Sequence, residues 1–259
     1  DKTAHIYYYE TAGFAFHSGV SVKLIDGDKG RITAAQVIEN IQPNFDWLPK
    51  TSLVCLENTS NKGGGSCYEL QAIEEIKATC DAHGLKLHMD GARLYNAIVA
   101  KKYSTQQMGG LCDSLSVCFS KGLGAPVGSV LIGSKEFIRK ARRIRKVFGG
   151  GMRQAGVIAA AGIYALENNI SRLTEDHVHA KAIAAAIASR PFVKLMLPVE
   201  TNIIIFELDD TISAPQLVSR LKEQHILGYA ISPNRVRLVT HLDITPAMTE
   251  KTIQVFNQL

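Results

Sequence analysis

Apolar and polar positions fall into blocks along the chain that switch between strand-like runs and helix-like spacing. Ser52 to Glu57 is a compact apolar run that ends in the polar, glycine-rich stretch Asn58-Thr59-Ser60-Asn61-Lys62-Gly63-Gly64-Gly65. From Tyr68 to His83 the residues Leu70, Ile73, Ile76 and Cys80 recur at helical spacing, and Gly84 supplies the stop. Leu85 to Asp90 predicts the next strand, Ala92 to Lys102 a helix, and Ser114 to Ser120 a strand that runs into a glycine-rich turn. Gly128 to Gly133 predicts one more strand, antiparallel or at a crossover. This β-α-β-α succession predicts an α/β fold with an open, mostly parallel sheet wrapped by helices. Ligands of such sheets bind beyond the carboxyl ends of the strands. Three predicted strand ends carry polar residues, Glu57-Asn58-Thr59, Asp90 and Ser120-Lys121, and these are expected to converge on one site.

The texture changes near Leu173. An alanine-rich helical pattern runs to about Ser189, followed by a strand over Thr201–Leu208 and a helix over Ala214–Gln224. A strand at Val236–Val239 and a helix over Pro246–Gln258 complete the chain. The expectation is a large domain over residues 1–170 and a small C-terminal α+β domain over residues 171–259, with no internal repeat or low-complexity linker.

Composition narrows the class. The chain has 259 residues, 46% hydrophobic and 20% charged, which excludes a disordered or fibrous protein. No apolar run reaches the ~18 residues of a membrane span, and Asp1-Lys2-Thr3 does not open a signal-peptide pattern. The five cysteines, Cys55, Cys67, Cys80, Cys112 and Cys118, have no CxxC spacing. That argues against a disulfide framework and a structural zinc, and a reducing cytoplasm is the expected compartment. The net charge of +5 suits an anionic small ligand but is too weak alone to argue for nucleic acid. Six of the eight residues from Arg139 to Lys146 are basic. Without interleaved aromatics, this segment reads as a solvated helix face with one or two phosphate or interface contacts.

Two residues carry the candidate chemistry. Lys121 sits on a turn directly after a strand, either as a solvated loop lysine or as a partly buried one whose lowered pKa frees its amine to form a Schiff base. Asp90 ends a strand in His88-Met89-Asp90-Gly91-Ala92-Arg93. It is either the N-cap of the following helix or the partner of a buried cation. A lysine for an aldehyde and an aspartate for a ring nitrogen are the pair that pyridoxal phosphate requires.

The stretches Leu56-Glu57-Asn58-Thr59, His88 to Leu94, Ser116 to Ser129, Gly149 to Gly156 and Arg237-Leu238-Val239-Thr240-His241 occur in one order along the chain. Together they resemble the low-specificity L-threonine aldolases, pyridoxal-phosphate enzymes of the aspartate-aminotransferase-like fold (fold type I). Each stretch alone is a weak signal, and five in order is a strong one. The resemblance implies that Lys121 carries the cofactor and that Asp90 keeps its ring nitrogen protonated. It also implies that Arg93 lies near the ring's phenolic oxygen, that His5 stacks on the ring, and that Ser120 touches the phosphate. Arg237 would bind the substrate carboxylate by paired charge-assisted hydrogen bonds. Lys146 and Arg153 would be cationic positions near the site, reaching it across a subunit interface of a homodimer or homotetramer.

The implied reaction is retro-aldol cleavage of L-threonine or L-allo-threonine to glycine and acetaldehyde. Two alternatives stand beside it. One is a β-eliminating lyase or another β-hydroxy-amino-acid aldolase on the same scaffold. The other is a catalytically impaired fragment that serves as an assembly module. Many members of the family carry histidines after the Glu-Asn-Thr stretch and a few residues before it. Here Ser60 and, roughly, Trp47 stand there, which leaves His5 or a held water as the base for the β-hydroxyl. His88 and His241 read as structural, His177 and His179 as solvated, and Glu57 as a residue that orients a neighbour. The resemblance begins inside the family's chain. Relatives carry roughly 80 further residues before the position of His5, within the usual size of a large domain. A phosphate-cradling Gly-Thr turn is expected in that stretch.

Overall fold

A computed structural model describes all 259 residues, which divide into two compact units. Unit 1 comprises Asp1–Gly63 and Cys67–Ile170, and unit 2 comprises Gly64–Ser66 and Ser171–Leu259.

Unit 1 contains α1 (His5–Tyr8), α2 (Gly13–Ser18), α3 (Ala34–Asn40), β1 (Leu53–Glu57), α4 (Leu70–Ala82) and β2 (Lys86–Gly91). It continues with α5 (Leu94–Lys101), α6 (Thr105–Leu111), β3 (Ser114–Cys118), β4 (Ser129–Gly133), α7 (Lys135–Val147) and α8 (Gly156–Asn168). The sheet order is β1-β2-β3-β4. The first three strands are parallel, and β4 runs antiparallel to β3 with Ser114 opposite Gly133 and Cys118 opposite Ser129.

The two-residue period of the strands divides this sheet by chemistry. Val54, Leu56, Leu87, Met89, Leu115 and Val117 point to one face and are buried with Ile73, Ile76 and Cys80 of α4, Leu94 and Ala97 of α5 and Met108 of α6. Burying each large aliphatic side chain stabilises this face by about 1.5–3 kcal/mol. The alternate residues, Cys55, Glu57, His88, Asp90, Ser114, Ser116 and Cys118, share the other face. The apolar core therefore fixes the register that gathers the polar side chains on the opposite side. Gly91 closes β2 because the strand crowds its neighbours. A β-carbon there would lie 2.8 Å from the Ser116 carbonyl oxygen and 3.0 Å from Leu94 Cβ.

Among the helices absent from the sequence expectation, which include α1, α2 and α8, the short α3 and α6 begin with complete capping boxes. Thr33 pairs with Gln36 in the first and Ser104 with Gln107 in the second. Both helices are seven residues long and bury only Val37 and Met108 respectively, so neither shows a strong apolar period.

Unit 2 contains α9 (Leu173–Ala188), β5 (Val193–Met196), β6 (Ile203–Leu208), α10 (Ala214–Glu223), β7 (Tyr229–Ser232), β8 (Arg235–Val239) and α11 (Pro246–Gln258). Its antiparallel sheet has the order β5-β6-β8-β7. Ile204, Phe206, Leu208, Val236 and Leu238 pack with Ala180, Ile183, Ala184 and Ile187 of α9, Leu217 and Leu221 of α10 and Phe256 of α11. The Gly64–Ser66 segment joins this unit, with Thr201 Oγ1 donating to the Gly65 carbonyl at 2.9 Å.

One histidine expectation is corrected here. His177 is buried, not solvated. Leu173, Asp176, His177, Ala180, Ala184 and Ile187 form the buried stripe of α9 at i, i+3, i+4, i+7 spacing, and His177 lies in it. Burial pushes its pKa down to about 4, with Lys181 adding to the shift. His179, on the same helix, is half-buried.

Candidate functional site

The polar face of the first sheet becomes a site at the carboxyl ends of β1, β2 and β3. Glu57 stands opposite Asp90, and Asp90 stands opposite Ser116. The Asn58 N–H donates to the Asp90 carbonyl at 2.9 Å, which extends the β1–β2 ladder past the strand end. The three polar strand ends expected to converge do so, since the strands that carry them are adjacent, parallel and in register.

Asp90 is half-buried. Its Oδ1 accepts the Ala92 N–H at 3.1 Å. The helix-cap expectation is corrected: α5 starts two residues later, at Leu94, with Arg93 as its N-cap and no side-chain cap. The Asp90 carboxylate instead closes a turn before the helix and keeps its second oxygen without a protein hydrogen bond. Its charge acts on three neighbours of the same face. It raises the pKa of Glu57, which burial has already pushed up, and it raises that of Cys55, which burial takes to about 11. It opposes the burial that lowers the pKa of His88. His88 Nδ1 is 2.8 Å from Ser114 Oγ, a contact within the sheet face that fits a supporting histidine.

Glu57 is buried and fully engaged. Oε2 accepts the His5 N–H at 2.9 Å, and Oε1 accepts the Asn61 N–H at 2.8 Å. It orients its neighbours, as the sequence implied. His5 Nε2 lies 2.7 Å from Glu10 Oε1, and its ring stacks at a tilt on Tyr9 with centroids 4.8 Å apart.

Lys121 lies on the connection between β3 and β4. The Phe119 N–H donates to the Gly128 carbonyl, the Ala125 N–H to the Phe119 carbonyl, and the Gly124 N–H to the Lys121 carbonyl, all within 3.0 Å. Leu123 and Ala125 are buried, and Asn169 Nδ2 donates to the Leu123 carbonyl at 2.7 Å. Gly128, at φ 118°, adopts a conformation that a β-carbon would disfavour, and this lets the chain re-enter β4. The turn is thus held at both ends. The Lys121 side chain is exposed within the chain, not partly buried, and Nζ donates to Cys118 Sγ at 3.1 Å. The difference has a local cause. The buried positions of the turn go to Leu123 and Ala125, and β4 beside it is itself exposed. Ser120 is exposed, with Oγ 3.5 Å from the Gly128 carbonyl.

The remaining predicted residues are distributed as follows. Arg93 is half-buried and lines a small cavity with Tyr95, Asn96, Cys118 and Leu123. Lys146 Nζ donates to the Gly151 carbonyl at 3.4 Å, and Arg153 is exposed in the loop after α7. Arg237 belongs to unit 2, on β8, paired in register with Ile205 and Tyr229. Of the two positions at which the resemblance led to an expectation of histidine, Ser60 is buried and its Oγ accepts the Gly63 N–H. Trp47 is exposed and stacked on Phe45 at 4.8 Å. Cys118 was not singled out as a neighbour of the lysine. Its position three residues before Lys121 on the polar face is the signal that could have found it.

The donor set fits pyridoxal phosphate. The half-buried carboxylate of Asp90 has one oxygen open and suits a protonated ring nitrogen. The Lys121 amine contacts Cys118, which shares the face of Asp90 on the adjacent strand, and it is accessible to the cofactor's aldehyde.

The profile of the family described as beta-eliminating lyase matches residues 1–211. Low-specificity L-threonine aldolase 1 of Arabidopsis thaliana is 38% identical over 260 residues, which cover 98% of this chain and 73% of that protein. Low specificity L-threonine aldolase of Escherichia coli strain K12 is 38% identical over 245 residues, covering 94% of this chain and 71% of the relative. Among solved structures, the Leishmania major threonine aldolase superposes with a TM-score of 0.87 at 21% identity, over 99% of this chain and 75% of its own. That likeness establishes the shared fold, that of the fold type I pyridoxal-phosphate enzymes. Sequence match and fold agree, and the chain belongs to the beta-eliminating lyase family.

Proposed function

We propose that the protein cleaves L-threonine and L-allo-threonine to glycine and acetaldehyde, using pyridoxal phosphate. The observation that carries this is the pairing of Lys121 and Asp90 on one edge of one sheet face, in a chain 38% identical to low-specificity L-threonine aldolases. When bound, the cofactor supplies an electron sink for the pair released as the Cα–Cβ bond breaks. The Asp90 carboxylate holds a proton on the ring nitrogen through its open oxygen, and a nearby negative charge favours that proton. The Lys121 amine holds the cofactor at its aldehyde carbon. With the cofactor bound, Arg93 would stand by its phenolic oxygen, Ser120 would contact its phosphate, and Arg237 would fix the substrate carboxylate through a two-pronged hydrogen bond.

His5 would cover the ring of the bound cofactor and take the β-hydroxyl proton. A carboxylate only accepts, so the contact with Glu10 places a proton on His5 Nε2 and leaves Nδ1 as the acceptor. The tie of the His5 backbone to Glu57 beside Asp90 supports His5 over a held water as that base. The proton taken from the hydroxyl and the one delivered to Cα balance, so threonine divides into glycine and acetaldehyde without an external reductant or oxidant.

Association into a dimer or tetramer, with Lys146 and Arg153 serving a neighbouring copy, is part of the same reading. The exposed apolar Val147, Val157 and Tyr164 support it. Five free cysteines support a reducing, cytoplasmic setting. No helix is long and apolar enough to cross a membrane.

Product analysis tests the activity. Acetaldehyde and glycine in equal amounts from L-threonine are expected. Release of ammonia and a 2-oxo acid instead would assign a β-elimination, as the family's description allows. Neither product from the cofactor-saturated protein would leave only an assembly role.

A further inference from the structure

A cleft of about 500 Å³ is lined by Gly133, Lys135, Ile138, Arg139 and Arg142. It lies at the far edge of the first sheet from Lys121. Gly133 pairs with Ser114 at the start of β3, whereas the lysine turn leaves β3 at Cys118. Lys135, Arg139 and Arg142 stand at i, i+4 and i+7 on α7 and therefore share one helix face. None of the three makes an ion pair or a side-chain hydrogen bond. The carboxylates on the helix and at this sheet edge are already matched. Glu136 is paired with Lys140 at 2.8 Å. The Asp113 carboxylate takes Lys86 at 2.8 Å, Lys77 at 3.4 Å and the Leu87 N–H at 3.0 Å. Three unopposed cations thus border a cleft whose remaining lining, Ile138 and Gly133, offers no negative charge.

The spacing selects the ligand. At about 1.5 Å of rise per residue, Lys135 and Arg142 are about 10 Å apart along the helix axis. A single phosphate cannot reach all three side chains without drawing them together against their mutual repulsion. A row of linked phosphates can meet each cation in turn, and guanidinium groups suit phosphate oxygens in particular. We propose that this cleft binds a linked phosphate chain, as found in inorganic tripolyphosphate or in a nucleoside triphosphate. The proposal does not depend on the catalytic reading.

The test uses protein saturated with pyridoxal phosphate, so that the cofactor's own phosphate place is not available, in magnesium-free buffer. Calorimetric titration with tripolyphosphate should show saturable binding, one per chain, that weakens as salt is raised. Orthophosphate should bind at least ~10-fold more weakly, because it meets fewer of the cations. Arg139→Gln/Arg142→Gln should lose at least ~10-fold in affinity, while Lys140→Gln/Arg143→Gln, with the same change in net charge on the same helix, should bind as the parent does. Circular dichroism confirms that both variants are folded. Adenosine triphosphate binding more tightly than tripolyphosphate would identify a nucleotide as the ligand, and equal affinities would identify the phosphate chain alone. The proposal is overturned if the parent shows no saturable binding, if orthophosphate binds as tightly as tripolyphosphate, or if both double variants lose affinity equally.

Discussion

Glu57 accepts the backbone N–H of His5 at 2.9 Å, across 52 residues of chain, and so ties the segment that carries the histidine to the carboxyl end of β1. The same side chain accepts the Asn61 N–H, so one buried carboxylate anchors both segments. Glu57→Ala is expected to lower stability by roughly 1–3 kcal/mol, because it leaves backbone donors unpaired in the interior. Threonine cleavage should fall further than the loss of folded protein explains, since His5 is no longer held. Glu57→Gln, which retains one acceptor oxygen, should be milder in both. Urea titration and turnover measured on the same samples check this, and an unaltered midpoint for Glu57→Ala would refute the anchoring role.

Lys121→Ala should lose at least about a thousandfold in turnover, the scale seen when a residue that forms the covalent bond is removed. Its readout need not be activity. Borohydride reduction followed by peptide mapping should place a pyridoxyl group on Lys121 in the parent and on no residue of the variant. A pyridoxyl group elsewhere in the parent would move the cofactor off this lysine.

Asp90→Asn should retain the cofactor and lose roughly 10²- to 10³-fold in rate, the usual loss when one preorganised electrostatic contact is removed. An amide keeps the Ala92 turn, because its oxygen still accepts, but it cannot hold the ring nitrogen protonated. Near-parental turnover would reduce Asp90 to the turn hydrogen bond it makes in the chain.

Gly91→Ala places a β-carbon 2.8 Å from the Ser116 carbonyl oxygen, a backbone atom of the central strand β3. The ladder cannot yield there without disturbing the Asp90–Ser116 register, so a loss of roughly 1–3 kcal/mol is expected. Thermal unfolding checks it, and an unchanged midpoint would mean that the strands separate more easily than their hydrogen bonds imply.

His177 supplies a pH dependence. Burial lowers its pKa from about 6.5 to about 4, so the fold holds it neutral. Below pH 6.5 the unfolded chain takes up a proton that the folded chain refuses. Stability is therefore complete above that pH and falls as the pH drops toward 4, by an amount on the order of 3 kcal/mol. His177→Gln has no such proton to take up. Between pH 7 and pH 5 its urea midpoint should fall less than the parent's. Parallel declines would show that other groups carry the acid sensitivity.

The chain's local order was legible where strong periodicity and punctuation coincide. Leu70, Ile73, Ile76 and Cys80, with Gly84 beyond, specify α4, and the polar residues closing three apolar runs mark the carboxyl edge of the sheet. Lys121 and Asp90 could be picked out as a pair, because a lysine for an aldehyde and an aspartate for a ring nitrogen match one cofactor, although each alone also suits a solvated loop or a helix cap. The alanine-rich helix from Leu173 was legible, but its buried stripe, in which His177 lies at i+4 from Leu173, was not. In sequence His177 reads as solvated because the charged residues Glu175, Asp176 and Lys181 surround it.

Other features were settled only by packing between distant segments. No local pattern says that Glu57 will hold His5, because that hydrogen bond needs the first residues of the chain to return to the end of β1. Whether Asp90 caps α5 or closes the turn before it depends on where the helix can start once Gly91 is pressed against Ser116. The exposure of Lys121 follows from Leu123 and Ala125 taking the buried places of its turn. The row of basic residues on α7 read as a solvated face because sequence shows only that the charges lie on a helix. That three of them border a cleft, unopposed, follows from β4 running antiparallel and from Asp113 being neutralised by lysines from α4 and β2. A sequence sets which residues alternate and recur, because backbone geometry is local; which of them meet is decided by burial of the shared core, and that is a property of the whole fold.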